Sequence, residues 1–132
     1  MQPDLYHIIP TGGAVIMLAC LVTAAALRKP AANGWAVAAL LAALFALCST
    51  YAVATGGPLG FWTEHVRNAW GNQIWLDLLC AAATAFIVLL PRARAAGMAV
   101  WVWLAFVIAT GSLGLLAMLA RCLWLEGRAR QG

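Results

Sequence analysis

The segment FWTEHVRNAWGNQIWLDLL, residues 61–79, separates two long apolar parts of the chain and holds most of its polar chemistry. It contains two of the four acidic residues, Glu64 and Asp77, one of the two histidines and three of the seven tryptophans. Its second half continues into an apolar run and carries the Asp77 carboxylate with it. Because an ionised carboxylate in hydrocarbon costs several kcal/mol, its position there requires a physical reason.

The composition predicts an all-α, polytopic membrane protein. The chain has 132 residues, of which 65% are hydrophobic and 9% charged, whereas soluble domains carry about 25% charged residues. About twenty apolar residues in a helix cross a ~30 Å hydrocarbon core. We therefore predict one integral membrane domain, residues 1–132, forming a bundle of four transmembrane helices at about 8–27, 34–55, 72–90 and 98–120. The net charge of +4 comes from basic residues at the ends of apolar runs. That pattern indicates contact with lipid headgroups and no nucleic-acid partner.

Two smaller features refine this bundle. Between helices 2 and 3, Phe61, Trp62, Val66 and Trp70 recur at about helical spacing, with polar residues between them. They predict a short amphipathic segment at the level of the lipid headgroups, where tryptophan is favoured. Alanines 38, 42 and 46 form a stripe that a neighbouring helix can approach closely.

Four spans would place both termini and the 2–3 loop on one face of the membrane. Arginine and lysine counts are then equal on the two faces, and we expect the 1–2 loop (Arg28, Lys29) and the 3–4 loop (Arg92, Arg94) to be cytoplasmic. The acids and histidines would all lie on or near the opposite face: Asp4, His7, Glu64, His65, Asp77 and Glu126.

Asp77 is the central candidate residue. Gln73, Asp77, Cys80 and Thr84 share one side of a helix, and this side should face the bundle interior or a wet pocket. In one interpretation Asp77 pairs with Arg121, or with Arg67. In the other it binds a ligand or handles a proton at the mouth of a pocket. The predicted ligand-binding residues are Asp77, Gln73, Asn72, Trp62, Trp70, Arg121, Thr110 and Gly114.

Catalytic and metal motifs are weak. Asp77, Glu64 and His65 are the candidate catalytic residues for acid–base chemistry. No His-x-x-x-His or Glu-x-x-His spacing is present, so no metal or cofactor is predicted. The four cysteines are widely separated and are expected to act as small apolar side chains. Thr110 and Gly114 stand four apart, which favours close helix contact or the approach of a flat apolar ligand.

Residues 60–116 also carry a family resemblance. The matching pieces are Gly60-Phe61, Asn72, Asp77-Leu78, Arg92-x-Arg94-x-x-Gly97, the following tryptophan and Gly111-Ser112-Leu113-Gly114. This pattern resembles a family of small four-helix bacterial inner-membrane proteins with no assigned activity. Members often continue with a proline and then Leu-x-Tyr, where this chain has Leu115-Leu116-Ala117-Met118. A second resemblance is to a four-helix family linked to carotenoid formation. It depends on Asp77, the basic turn around Arg92 and Arg94, and Gly111-x-x-Gly114. The first resemblance implies the fold and a bacterial inner-membrane location.

Three functional hypotheses follow. The first is a non-enzymatic membrane module that binds a lipophilic ligand, or docks on a larger membrane complex, through a pocket at the 2–3 loop face. The predicted partners are membrane lipids, a lipophilic small molecule, and a homo-oligomer or larger membrane complex. The second is a membrane enzyme acting on an isoprenoid, sterol-like or quinone-type substrate, with Asp77 and Glu64 or His65 as acid and base. The third is a small oligomeric transporter, although no inverted repeat relates the two halves.

Overall fold

The computed structural model describes residues 4–26 and 33–130. Regular structure in these ranges is α-helical. The six helices are α1 (Asp4–Ala26), α2 (Gly34–Gly56), α3 (Gly60–His65), α4 (Ala69–Ala95), α5 (Val100–Thr110) and α6 (Ser112–Ala129). The predicted basic pair Arg28–Lys29 lies outside the described residues.

Among the described residues, three helices have the length and apolar composition needed to cross a membrane. They are His7–Ala26, Gly34–Gly56 and Ala69–Ala95. These helices confirm the coarser prediction of an all-helical protein with membrane-span-like helices. A short helix, α3, occupies the predicted amphipathic segment between α2 and α4.

The chain divides into two compact units, residues 1–32 and 33–132. The first contains α1, which includes Pro10. In the second unit, α6 is the central helix: it packs along α2 and also contacts α4 and α5. Ala38 and Ala42 of α2 are buried, so the small-residue stripe predicted on this helix is a packing surface. The hydrophobic core is small and is centred on Leu89, Ala93 and Met118.

The predicted fourth span, residues 98–120, is not one helix. It breaks at Gly111, whose φ of 59° and ψ of −124° lie in a region that favours glycine. The Gly111 amide donates to the carbonyl of Val107 at 2.7 Å and so closes the end of α5. With 11 residues, α5 is about 16 Å long, too short to cross a ~30 Å hydrocarbon core.

α5 and α6 form a tight helical hairpin on either side of Gly111. A Cβ atom at Gly114 would lie 2.8 Å from the Cα of Val107 and 2.8 Å from Oγ1 of Thr110. Farther along the hairpin, Trp103 of α5 packs against the core cluster that includes Met118 of α6. The close contact predicted at Gly114 is therefore present, but it joins the two parts of the broken span.

Because the chain reverses at Gly111, α6 ends near the end of α4. Arg92 Nε and Nη2 donate to Oε1 and Oε2 of Glu126 at 2.9 and 2.7 Å. Gly34, the first residue of α2, lies against Leu123 of α6. We call residues 91–95 and 121–130 the arginine end. The expectation that Arg121, Glu126 and the C-terminal arginines lie on the face of the 2–3 loop is wrong.

Candidate functional site

The polar segment around α3 folds into a compact corner, which we define as residues 59–77. Asn68 begins α4: its Oδ1 accepts a hydrogen bond from the Gly71 amide at 2.8 Å, the usual N-cap interaction. Asn72 Nδ2 donates to the carbonyls of His65 and Asn68, both at 3.2 Å. The Gly71 amide and the His65 carbonyl are thereby bonded, two backbone groups of a kind that helix ends leave without partners in the helix.

The corner is closed by the direct approach of α4 to the end of α3. A Cβ atom at Gly71 would lie 2.5 Å from the carbonyl oxygen of Glu64 and 2.8 Å from that of His65. Both neighbours are backbone atoms, which cannot rotate away as a flexible side chain can. Glycine at position 71 is therefore required by this packing, a role that the sequence pattern did not reveal.

Three aromatic rings hold α3 against α4. The ring centroids of His65 and Trp75 are 4.8 Å apart, and those of Phe61 and Trp75 are 5.9 Å apart. His65 Nδ1 lies within hydrogen-bonding distance of the Phe61 carbonyl oxygen. The half-buried His65 ring is thus engaged in packing and capping within the corner. Trp75 and Phe61, which the sequence analysis did not place in the site, are its structural partners.

An open depression lies on the outside of the corner. It has a volume of about 340 Å³ and is lined by Glu64, His65, Arg67, Asn68, Trp70, Gly71 and Ile74. Arg67 Nη1 donates to Glu64 Oε2 at 2.9 Å, and both side chains are about two-thirds exposed. Of the predicted site residues, the structure brings Glu64, His65 and Trp70 together here. Asn72 lies in the adjoining cap, and Trp62 is exposed on α3.

Asp77 lies on the other side of α4. It is two positions after Trp75, which places it about 200° around the helix from the ring that contacts His65. Asp77 is exposed, so its side of α4 is not covered within the described residues, and the bundle interior or wet pocket expected on this side stays a prediction. No hydrogen bond joins Asp77 to Glu64 or His65 within the described residues: Glu64 pairs with Arg67, and the His65 ring packs against Trp75.

The exposed side of α4 nevertheless carries the polar side chains of Gln73, Asp77 and Thr84 in one stripe. Five exposed residues share it, and we call them the α4 stripe: Trp70, Gln73, Asp77, Cys80 and Thr84. Trp70 also lines the depression, so the two surfaces are continuous. Within the described residues, the Asp77 carboxylate makes no salt bridge, in contrast to Glu64 and Glu126.

Neither arginine proposed as a partner reaches Asp77. Arg67 pairs with Glu64. Arg121 lies at the arginine end, where α6 runs beside the last turns of α4. Asp77 is fifteen residues before Arg92, which corresponds to about 22 Å along the helix. The reversal at Gly111, which carries Arg121 away from the corner, is the reason that this predicted pair is wrong.

The other predicted ligand-binding residues are also apart from the stripe. Thr110 Oγ1 donates to the Phe106 carbonyl of its own helix at 2.7 Å, and Gly114 is buried in the α5–α6 hairpin. These two positions serve the helix reversal, and the structure does not place them beside Asp77.

At the arginine end, Arg92 stabilises the charged form of Glu126. Its hydrogen bonds hold the pKa of the Glu126 carboxyl below its ordinary value, against the opposing effect of partial burial. Cys122 Sγ lies 3.4 Å from Glu126 Oε1, and burial raises the pKa of this thiol. No group of three or more His, Cys, Asp or Glu side chains suited to a metal ion occurs within residues 4–26 and 33–130.

Comparisons of the chain with protein-family models, curated proteins and solved structures gave no match.

Proposed function

We propose that this protein is a non-enzymatic membrane module that docks on a larger membrane assembly through the α4 stripe. The occupant is a transmembrane helix of a partner protein that donates hydrogen bonds or a positive charge to Asp77. This assignment retains the docking form of the first hypothesis and moves the contact surface from the corner pocket to the adjoining face of α4.

The exposed Asp77 carboxylate is the observation that supports this proposal. α4 has the length and apolar composition of a membrane-crossing helix, and Asp77 lies about 12 Å from its first residue. A charge facing lipid there would cost several kcal/mol, and membrane helices place such residues toward protein or water. A partner helix that covers the stripe removes this cost.

The neighbouring side chains suit a helix better than a small apolar molecule. Gln73 and Thr84 flank Asp77 with amide and hydroxyl groups that hydrogen-bond across helix interfaces. From Trp70 to Thr84 the stripe extends about 21 Å. The depression, by contrast, is open, and its lining includes the charged pair of Glu64 and Arg67, whereas pockets for lipophilic ligands enclose most of the ligand in a mostly apolar lining. An isoprenoid or quinone would therefore leave Glu64 and Arg67 in contact with hydrocarbon.

The proposal includes a specific arrangement in the bilayer. α1, α2 and α4 cross it, α3 lies at the headgroup level, and the α5–α6 hairpin enters and leaves at the arginine end. The support is the length of each helix, the exposed Phe61 and Trp62 on α3 and the break at Gly111. This arrangement replaces the four crossings expected from the apolar runs.

Photo-crosslinking in the native membrane tests the docking face. The full-length chain, carrying a photoreactive amino acid at Thr84, is crosslinked in the membrane and then purified. It should carry a discrete protein adduct. The matched control is Leu47 of α2, which is also exposed in an apolar helix and should give lipid adducts only. Asp77→Leu should reduce the Thr84 adduct at least tenfold, whereas Asp77→Asn, which can still hydrogen-bond, should retain part of it.

Native mass spectrometry of the wild-type chain extracted from membranes separates the remaining occupants. The proposal predicts a second protein mass that is lost in the Asp77→Leu variant. A mass that is a multiple of the chain's own would show that the helix covering the stripe belongs to a second copy of the chain and not to a different protein, which would contradict the proposed partner. A small adduct with no second protein, or a bare monomer with no Thr84 adduct, would overturn the docking proposal.

A further inference from the structure

The arginine end carries a strong excess of positive charge. Five arginines lie there with a single acid, Glu126, and both carboxylate oxygens of Glu126 are bonded to Arg92. Within the described residues, the other four guanidinium groups form no salt bridge: Arg94, Arg121, Arg128 and Arg130. The corner has one arginine, and Glu64 neutralises it. The two ends of this unit thus differ sharply in charge.

Two of these arginines are held on one tryptophan. The guanidinium carbons of Arg121 and Arg128 lie 4.6 and 4.5 Å from the ring centroid of Trp124, a cation–π geometry. The three residues stand at positions i, i+3 and i+7 on the same side of α6. Stacking restricts each guanidinium, while its planar N–H fork remains able to bind an anion.

We propose that the ridge formed by Arg121, Trp124 and Arg128 binds the phosphate headgroup of an anionic phospholipid at the cytoplasmic leaflet. Trp124 suits the headgroup level, where tryptophan is enriched. The two guanidinium forks match phosphate oxygens in geometry and charge. The cytoplasmic leaflet carries the anionic surface potential that attracts basic segments beside a membrane helix.

The reversal at Gly111 is what concentrates this charge. If residues 98–120 crossed the membrane as one helix, Arg121, Arg128 and Arg130 would lie with the corner, and four of the six arginines of this unit would be at that end. In the structure, five arginines lie at one end of this unit and one at the other. An excess of arginine on one face marks that face as cytoplasmic. The concentration of five arginines at one end of the unit thus supports both lipid binding at the ridge and a cytoplasmic location of the arginine end.

Lipid binding to the purified full-length chain tests the inference independently of any docking partner. Native mass spectrometry should show that phosphatidylglycerol binds more tightly than phosphatidylcholine with the same acyl chains. An arginine near an anionic surface contributes roughly a fivefold effect on affinity. Arg121→Gln with Arg128→Gln should therefore weaken phosphatidylglycerol binding by about 25-fold. The double lysine variant keeps the charge but loses the fork, and should show an intermediate loss.

Arg67→Gln is the matched control, because it removes one arginine at the corner and should leave phosphatidylglycerol affinity unchanged. Each single variant, Arg121→Gln and Arg128→Gln, supplies the same test if the double variant loses its helical circular dichroism. Inorganic phosphate should displace the lipid no better than sodium chloride of equal ionic strength, since the ligand is the lipid headgroup and not free phosphate. Equal affinity for the two lipids, or an equal loss in Arg67→Gln, would overturn the inference.

Discussion

The polar groups of the corner bond to near neighbours in the chain, whereas the charged pair of the arginine end joins two helices. Glu64 and Arg67 are three residues apart, and Asn68 caps the helix that it begins. Arg92 and Glu126 are 34 residues apart. The corner therefore depends on local sequence, while the arginine end depends on the direction that α6 takes after Gly111.

The same two regions differ in how they meet their surroundings. The corner pairs its one arginine and leaves Asp77 exposed in the middle of the α4 stripe. The arginine end pairs its one glutamate and leaves four arginines without a salt bridge among the described residues. The first region therefore exposes an anion on an apolar helix, and the second exposes cations at the opposite end of the unit.

Gly71→Ala is expected to have the largest effect, because the added methyl group would meet two backbone carbonyls of α3. Overpacking of this kind typically costs 1–3 kcal/mol, and the 2.5 Å approach places this variant at about 3 kcal/mol. Thermal unfolding in detergent, followed by circular dichroism, measures it. Gly60→Ala is the control, since a Cβ there has no neighbour within 4 Å. Equal stability of the two variants would show that the corner is not closed as described.

Gly114→Ala should destabilise the hairpin by about 2 kcal/mol, since the methyl group would press on the backbone of Val107. Gly127→Ala in the same helix meets nothing within 4 Å and should leave the stability unchanged or slightly raised. The melting temperatures of the two variants give the comparison. A harmless Gly114→Ala would argue for a straight helix through Gly111.

Glu126→Gln should lower stability by about 1 kcal/mol, because Arg92 then loses a charged partner in a partly buried pair. The Glu126 side chain is 25% exposed, against 65% for Glu64. Glu64→Gln should therefore cost no more than about 0.5 kcal/mol. Urea unfolding of both variants at neutral pH provides the values. A larger loss at Glu64 would reverse the comparison of the two ends.

The pair of Arg92 and Glu126 also predicts that the stability of the fold depends on pH. The pKa of Glu126 in the folded chain lies below its ordinary value. The pair therefore stabilises the fold above the unfolded pKa of about 4.3, and this contribution is lost as the pH falls through the lower, folded pKa. Wild type and Glu126→Gln should thus differ in melting temperature at pH 7 and converge in strong acid. A difference that grows below pH 4 would have the wrong sign.

Local patterns in the sequence predicted much of the fold. Apolar runs of the required length located α1, α2 and α4, and the alanine stripe correctly marked a packing face of α2. The predicted third span ends at about residue 90, just before Pro91, whereas α4 continues to Ala95. The proline lacks one amide donor, but it lies near the helix end and does not terminate the helix.

The errors share one physical cause. Thr110, Gly111, Ser112 and Gly114 indicated close packing, but composition does not distinguish a glycine within a straight helix from one at positive φ. Once α6 turned back, Arg121 could not reach Asp77, and the side of α4 assigned to the interior was left exposed. Gly71, Phe61 and Trp75 were missed in the site because their roles arise from contact between two helices. The i, i+4 pair of Phe61 and His65 was the available signal.

The central claim is that α6 turns back at Gly111 and ends beside the end of α4. Crosslinking between these two helix ends tests it most directly. In a chain whose four cysteines are replaced by alanine, Arg92→Cys with Glu126→Cys should be joined within one molecule by a short bifunctional thiol reagent. Asp77→Cys with Arg121→Cys should not be joined under the same conditions. Efficient crosslinking of the second pair and not the first would mean that the fourth apolar run crosses the membrane unbroken, in contradiction to the reversal at Gly111.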